Sequence, residues 1–157
     1  MLAEYFGKAL IGKAEEKAFK ENQIREIKKE FLENFKGTPA FLEFDTFENI
    51  LKSSDKENLK EWKRLLWLCA NLYNALPYRT QKSVYLAVFA AAVTGNPHAF
   101  DQGTAEGKIL YQVIQMDLGQ RGIQVETLEM FPAYKRQKSY LLAGILIDDI
   151  SNYALLY

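Results

Sequence analysis

His98 is the only histidine of the chain, and it precedes Asp101 by three residues in the polar segment TGNPHAFDQGT, residues 94–104. At this spacing an imidazole and a carboxylate can meet across one turn, where they could act as an acid–base pair or as two metal ligands. In the structural alternative, which we favour, Asp101 accepts backbone N–H groups of the following helix while His98 bonds a carbonyl in the loop. One histidine without clustered cysteines does not make a typical zinc site.

The same segment contains the residues of a turn between two helices. Gly95 can end one helix, Pro97 cannot continue it, and Thr104 can cap the next. We therefore predict a structural or contact turn formed by Asn96, Pro97, His98, Phe100, Asp101, Gly103 and Thr104.

Other groups with catalytic or metal-binding chemistry are few. Asp148 and Asp149 follow the apolar run LLAGILI, and a carboxylate at the end of a strand can hold Mg²⁺. Neighbouring side chains on a strand point to opposite faces, so a capping or turn role is favoured. Cys69 lies in the apolar run LLWLCANLY and is expected in the core, where a thiolate would be costly. We predict no catalytic residue and no metal ligand, and a metal-dependent hydrolase using His98, Asp101 and the two aspartates is the weakest hypothesis.

Two groups of basic residues could contact phosphate. In the segment YKRQKSY, residues 134–140, three cations lie between two tyrosines, a composition typical of a helix that contacts a nucleic-acid backbone. Lys135, Arg136 and Lys138 are therefore the first candidates for DNA binding. Arg79 and Lys82 are the second, because they open an apolar segment whose N-terminal amides would also attract anions. For both groups a solvated helix face is the alternative.

The elements that must position these groups are mainly helices. Apolar residues recur at intervals of three and four, which predicts helices over residues 2–35, 55–76, 79–93, 105–118 and 132–142. The first of these could instead be two helices with a bend near Gly12 or Asn22. The run Val84–Val93 is apolar on every face and predicts a central helix that is buried on all sides.

Weaker signals complete the prediction. Ser54 and Glu57 form a capping box for the second long helix. Ile123–Leu128 alternates well enough for a short strand, and Gly144–Tyr157 is apolar enough for a strand or a buried helix. The predicted fold class is mainly α: a multi-helix orthogonal domain with a central buried helix and minor β-structure near the C-terminus.

Size and composition limit the functional classes. The chain has 157 residues, 48% of them hydrophobic, and equal numbers of basic and acidic residues at 20 each. This indicates one globular domain and argues against a protein that coats nucleic acid through bulk charge. One cysteine excludes an internal disulfide, and no signal peptide or transmembrane stretch is evident. We expect a cytoplasmic protein, and the apolar ending ALLY suggests a fragment of a longer chain.

Two segments carry a resemblance to a known family. The turn TGNPHAFDQGTAEGKIL and the later run LLAGILIDDISNYALL resemble the amino-terminal half of the nuclease subunit of Wadjet plasmid-defence systems. The first matches a turn followed by a leucine-rich helix, and the second matches a Gly-x-x-x-Asp-x-x-Ser segment at Gly144, Asp148 and Ser151. Together the matches span residues 94–157, whereas the region before Pro77 fits only in being helical.

The resemblance implies a bacterial protein that acts with a condensin-like motor complex against circular plasmid DNA. In that family a carboxy-terminal toprim-type domain, akin to the catalytic subunit of type IIB topoisomerases, cleaves DNA with a divalent metal such as Mg²⁺ or Mn²⁺. No segment of this chain matches such a metal cluster. The resemblance therefore implies a single helical domain over residues 1–157 that contains no cofactor and no catalytic centre.

These observations lead to a ranked set of functional hypotheses. The first is a non-catalytic domain of a plasmid-defence nuclease that engages duplex DNA or docks onto the motor subunits. The second is a protein-interaction module without a nucleic-acid role, in which the turn around His98 and Phe100 contacts the partner. A homodimer is compatible with either hypothesis, and no membrane partner is expected.

Overall fold

The computed structural model of the chain describes residues 2–51, 58–125 and 131–147. This part of the chain forms six α-helices: α1 Leu2–Asn34, α2 Phe44–Ile50, α3 Leu59–Ala75, α4 Leu86–Thr94, α5 Ala105–Gln120 and α6 Pro132–Leu142. Two 3₁₀ turns, Pro39–Leu42 and Pro77–Thr80, precede α2 and the strand β1. The strands β1 Val84–Tyr85 and β2 Ile145–Leu146 pair in parallel. The predicted mainly α fold with minor β-structure is confirmed.

The first helix is a single element. The helix continues through Gly12 and Asn22 without a break, and residues 13–23, its charged middle section, are exposed. Its carboxy-terminal part enters the core, where Phe31 is fully buried and its ring centre lies 5.7 Å from that of Trp67 in α3. Edge-to-face contacts of this kind join α1 to the rest of the domain.

The helix α3 supplies much of the core, as its amphipathic pattern predicts. It starts later than expected: the side chain of Asn58 accepts a hydrogen bond from the amide of Glu61 at 3.2 Å and caps the helix. The proposed capping box at Ser54 and Glu57 lies outside the described residues. The helix stops at Ala75, close to the predicted end at Leu76, and Pro77 begins the 3₁₀ turn that follows.

The prediction of a helix over residues 79–93 was right for Leu86–Val93, but it was wrong about where the helix starts and about its burial on all sides. Residues 77–80 form a 3₁₀ turn, β1 follows, and α4 begins only at Leu86. Phe89 is buried, whereas Val88 keeps 58% of its surface exposed. The reason is non-local: the amide of Val84 donates to the carbonyl of Gly144 at 2.8 Å, and this strand pairing replaces the first helical turns.

The central helix of the domain is instead α5. It is buried along most of its length, because α3 packs on one side of it and α6 on another. Its start at Ala105, after the predicted cap Thr104, is confirmed. The helix α4 ends at Gly95, which has a φ of +84°, as the sequence predicts for a glycine that reverses the chain.

The strand prediction was right for one segment and wrong for another. The described part of the proposed strand Ile123–Leu128, residues 123–125, is not a strand. The expectation for Gly144–Tyr157 is confirmed at Ile145–Leu146, and the rest of that segment from Asp148 lies outside the described residues. The strand β2 follows α6 directly, so the end of α6 and the start of α4 lie beside each other.

Candidate functional site

The turn between α4 and α5 is held together by its own side chains. The side-chain oxygen of Asn96 accepts a hydrogen bond from the amide of His98 at 2.9 Å. Thr104 Oγ1 accepts from the amide of Gly107 at 2.9 Å and caps α5. The same hydroxyl group donates to the carbonyl oxygen of Asp101 at 2.8 Å. Side-chain bonds to the nearby backbone therefore fix the shape of the turn.

His98 and Asp101 meet on the surface of this turn. Nδ1 of His98 lies 3.1 Å from Oδ2 of Asp101, and the two side chains are 79% and 54% exposed. The spacing argument was therefore right about the contact. The structural alternative predicted that Asp101 accepts backbone N–H groups of α5 and that His98 bonds a loop carbonyl, and both partners were wrong. Thr104 binds the amide at the start of α5, and His98 contacts the Asp101 carboxylate.

Other residues of the turn take separate roles. Gly103 has a φ of +92°, a conformation that favours glycine, and Pro97 is exposed. Phe100 is fully buried, and its ring centre lies 6.0 Å from that of Phe89. The prediction that Phe100 contacts a protein partner was wrong, because this side chain belongs to the core.

The metal hypothesis receives no support from the described part of the chain. Within residues 2–51, 58–125 and 131–147, no three His, Cys, Asp or Glu residues come together in a way that could hold a metal ion. Asp148 and Asp149 lie outside these ranges. Cys69 is buried, as predicted, and burial raises the pKa of its thiol to about 12.

A groove joins the turn to the helix α6. It has a volume of about 790 Å³, and its lining includes Asp101, Gln102 and Gly103 of the turn. Pro132 and Arg136 of α6 line the same groove. The structure thus brings together two segments that the sequence singled out separately, residues 94–104 and 134–140.

The floor and the rim of this groove differ in character. Tyr140 is almost fully buried, and its ring centre lies 6.4 Å from that of the half-buried Tyr111. Lys108 and Gln112, both exposed, come from α5 and lie on the rim. The groove therefore has an aromatic floor and a rim of charged and amide groups, which is the usual composition of a ligand site.

The three cations of α6 lie on two sides of the helix. Arg136 lines the groove, and its guanidinium carbon lies 4.8 Å from the centre of the Tyr140 ring. Burial raises the pKa of the Tyr140 hydroxyl, while Arg136 opposes that shift. Arg136 also lines a smaller cavity of about 340 Å³, together with His98. Lys135 is half-buried and Lys138 is exposed.

The outer side of α6, which we call the α6 face, combines aromatic and basic groups. Tyr134, Lys138 and Leu141 follow one another at helical spacing, and Tyr134 and Leu141 are 58% and 54% exposed. Phe131 precedes the helix, is 75% exposed, and its ring centre lies 6.4 Å from that of Tyr134. The α6 face consists of Phe131, Tyr134, Lys135, Lys138 and Leu141.

The two residues of the second basic group, Arg79 and Lys82, have different surroundings in the structure. Lys82 is exposed. The Nη2 atom of Arg79 lies 3.3 Å from Oδ1 of Asp117, and its Nε donates to the carbonyl of Tyr73 at 3.0 Å. Arg79 therefore forms an ion pair within the protein. The argument that helix N-terminal amides attract anions beside Arg79 does not apply either, because α4 begins at Leu86.

This ion pair belongs to a cluster that we did not anticipate from the sequence. Asp117 is 2% exposed, and Arg121 Nε contacts its Oδ2 at 3.0 Å. The guanidinium carbon of Arg121 also lies 3.8 Å from the centre of the Tyr78 ring. A signal was present, because Asp117 interrupts the apolar stripe of α5 beside Ile114 and Leu118. A charged residue in such a position requires partners.

Comparisons with known proteins give one result. A family model described as "Protein of unknown function N-terminus (DUF3323)" matches residues 1–157. No curated protein matches the chain, and no solved structure does. Across the part of the chain that the structure describes, no helix combines the length and the apolar character needed to cross a bilayer.

Proposed function

The chain belongs to the family described as "Protein of unknown function N-terminus (DUF3323)", and we propose that it is the non-catalytic DNA-engaging domain of a bacterial plasmid-defence nuclease. The resemblance of residues 94–157 to the Wadjet nuclease subunit supports the biological setting. In this proposal a carboxy-terminal toprim-type part cleaves DNA with Mg²⁺ or Mn²⁺, and this domain contributes contacts to duplex DNA.

The composition of the α6 face is the observation that carries the DNA-binding part. Lys135 and Lys138 lie three residues apart and therefore on neighbouring positions of one helical surface. Tyr134, beside them, is 58% exposed. Cations spaced in this way can follow a phosphate backbone, and an exposed tyrosine can contact sugar or base.

The surroundings of α6 add to the same electrostatic potential. Arg136 and Lys108 line the groove on the inner side of the helix. Asp101 is the acidic residue of this groove, and the His98 ring lies 3.1 Å from its carboxylate. A localised basic surface is consistent with an overall balance of 20 basic and 20 acidic residues, because only a patch has to meet the backbone.

Charge reversal on the α6 face tests this proposal. We expect the double variant Lys135→Glu/Lys138→Glu to lower the affinity for a labelled duplex at least tenfold in fluorescence anisotropy. A matched double reversal on α1, Lys13→Glu/Lys17→Glu, changes two exposed lysines and should leave the affinity within about twofold. Equal losses in both variants would indicate bulk charge and would remove the α6 face from the proposal.

A second candidate function is protein docking, and the exposed side of α4 favours it. Val88 and Tyr85 are 58% and 54% exposed, and Ala91 and Ala92 are exposed beside them. An apolar surface of this kind is typical of an interaction site. Val88→Glu should abolish capture of motor subunits while leaving the duplex affinity unchanged, whereas retained capture would exclude this surface.

A further inference from the structure

The groove between α5 and α6 has features that a duplex backbone does not require. Backbone contacts need cations on a surface, as on the α6 face, but the groove is a concavity of about 790 Å³ with Tyr111 and Tyr140 among its lining residues. Pockets for small ligands have volumes of about 300 to 1,000 Å³. The groove is therefore large enough to take a planar ring together with its attached sugar and phosphate.

The lining groups match the chemistry of a nucleotide. Tyr111 is half-buried and offers an aromatic surface next to Tyr140. The exposed amide side chains of Gln102 and Gln112 come from the turn and from α5. Each amide has both donor and acceptor atoms, as the edge of a nucleobase requires.

Two cations line the same groove. Lys108 comes from the first turns of α5 and Arg136 from α6, so a phosphate attached to a sugar in the groove could bind to either of two cationic groups. The guanidinium group of Arg136 lies over the Tyr140 ring, 4.8 Å from its centre. A flat cation in this position can also stack on a base.

We propose that this groove binds one unpaired nucleotide of a nucleic-acid strand whose neighbouring backbone lies on the α6 face. The inference rests on the proposed DNA-binding function and adds the class of DNA structure to it. Arg136 connects the two regions, because it projects from α6 into the groove while Lys135 and Lys138 lie elsewhere on the same helix. The domain would then favour duplexes with an unpaired base over fully paired ones.

Two duplex probes that differ by one base test the proposal. Each is a labelled duplex with a one-nucleotide bulge, which carries adenine in one probe and an abasic sugar in the other. The phosphates are the same in both, so a difference in affinity reports the base alone. We expect the adenine bulge to bind about tenfold more tightly, the size of one base–aromatic stacking contact.

Variants of the groove separate this inference from the proposed function. Tyr111→Leu and Gln112→Ala should each bring the ratio of the two affinities toward one while both probes still bind. Gln112 is exposed, so its variant tests the groove without risk to the core. Phe19→Leu, on the exposed side of α1, is the control and should keep the tenfold ratio.

The possible results have distinct meanings. If the unchanged protein binds the adenine and abasic probes with equal affinity, the unpaired-nucleotide site is contradicted, whereas DNA binding by the α6 face is not. Failure of both bulged probes and of a fully paired duplex to bind at low salt would overturn the proposed function, and the inference with it. If both Tyr111→Leu and Gln112→Ala keep the tenfold ratio of the two affinities, the base binds outside the groove, and the proposed site is contradicted as well.

Discussion

The hydroxyl group of Tyr78 donates a hydrogen bond of 2.6 Å to Oδ1 of Asp117. Tyr78 lies in the 3₁₀ turn after α3, and its amide donates to the carbonyl of Ala143 at 3.0 Å. Arg121, which also binds Asp117, donates through Nη2 to the carbonyl of Leu142 at 3.0 Å. The Asp117 cluster therefore ties the end of α6 to α5 and to the turn, and it holds α6 in the orientation that the candidate site requires.

Removal of the Asp117 carboxylate should destabilise the domain strongly. The variant Asp117→Ala leaves Arg79 and Arg121 without their shared anion and removes the acceptor for Tyr78. We expect a loss of about 3 kcal/mol in the free energy of unfolding, the usual scale for breaking a buried pair, measured by urea denaturation. Asp45→Ala is the control, because Asp45 is 88% exposed and 3.9 Å from Lys28, and it should change stability by less than about 0.5 kcal/mol. Similar losses in both variants would contradict a special role for the cluster.

Stability should fall at alkaline pH. Burial raises the pKa of Cys69 from 9.0 to about 12, and burial together with the bond to Asp117 raises that of Tyr78 from 10.0 to about 12. Both groups keep their protons in the folded chain and lose them earlier in the unfolded chain. Above pH 9 the unfolded state therefore binds fewer protons, and the free energy of unfolding decreases as pH rises toward 12.

Urea denaturation at pH 8, 9, 10 and 11 measures this dependence. Cys69→Ala should remove the part of the decrease that begins near pH 9, and Tyr78→Phe the part that begins near pH 10. A free energy of unfolding that is constant from pH 8 to pH 11 in the unchanged protein would show that these groups titrate normally in the fold.

Gly144 should not tolerate a side chain. Its φ is +89°, and a Cβ atom there would lie 2.7 Å from the carbonyl oxygen of Lys82 and 2.8 Å from the amide nitrogen of Tyr78. Gly144→Ala should cost about 3 kcal/mol from strain and overlap together, seen as a lower melting temperature. Gly119→Ala introduces the same methyl group into open space at the end of α5 and should stabilise by about 0.5 kcal/mol. Equal melting temperatures for the two variants would contradict the close packing at Gly144.

The features that the sequence predicted correctly depend on neighbours in the chain. Gly95 ends α4, Thr104 caps α5, and Pro132 opens α6, because each acts on backbone groups within a few residues. The burial of the apolar run Val84–Val93 could not be predicted in the same way. Local hydrophobicity does not say which strand will pair with residue 84 or which side of α4 stays exposed.

The sequence predicted the separate segments of the candidate site, but it did not predict that they would meet at one groove. Lys135, Arg136 and Lys138 stood out by composition, and the turn stood out by its glycine, proline and asparagine residues. Their meeting at one groove depends on how α5 packs against α6, which is a contact between distant parts of the chain. Arg79 was a candidate by the same composition argument, and its pairing with Asp117 could not be inferred from spacing across 38 residues.

The salt dependence of duplex binding tests the DNA-binding account most directly. Fluorescence anisotropy of a labelled duplex at 50 mM and 200 mM salt gives the slope of log affinity against log salt, which counts the phosphates contacted. We predict a steep negative slope for the unchanged protein and a slope shallower by about 2 for Lys135→Glu/Lys138→Glu, about one for each lysine. The α1 variant Lys13→Glu/Lys17→Glu should keep the original slope. Absence of binding at 50 mM salt, or the same slope in all three proteins, would contradict the proposal that the α6 face engages DNA.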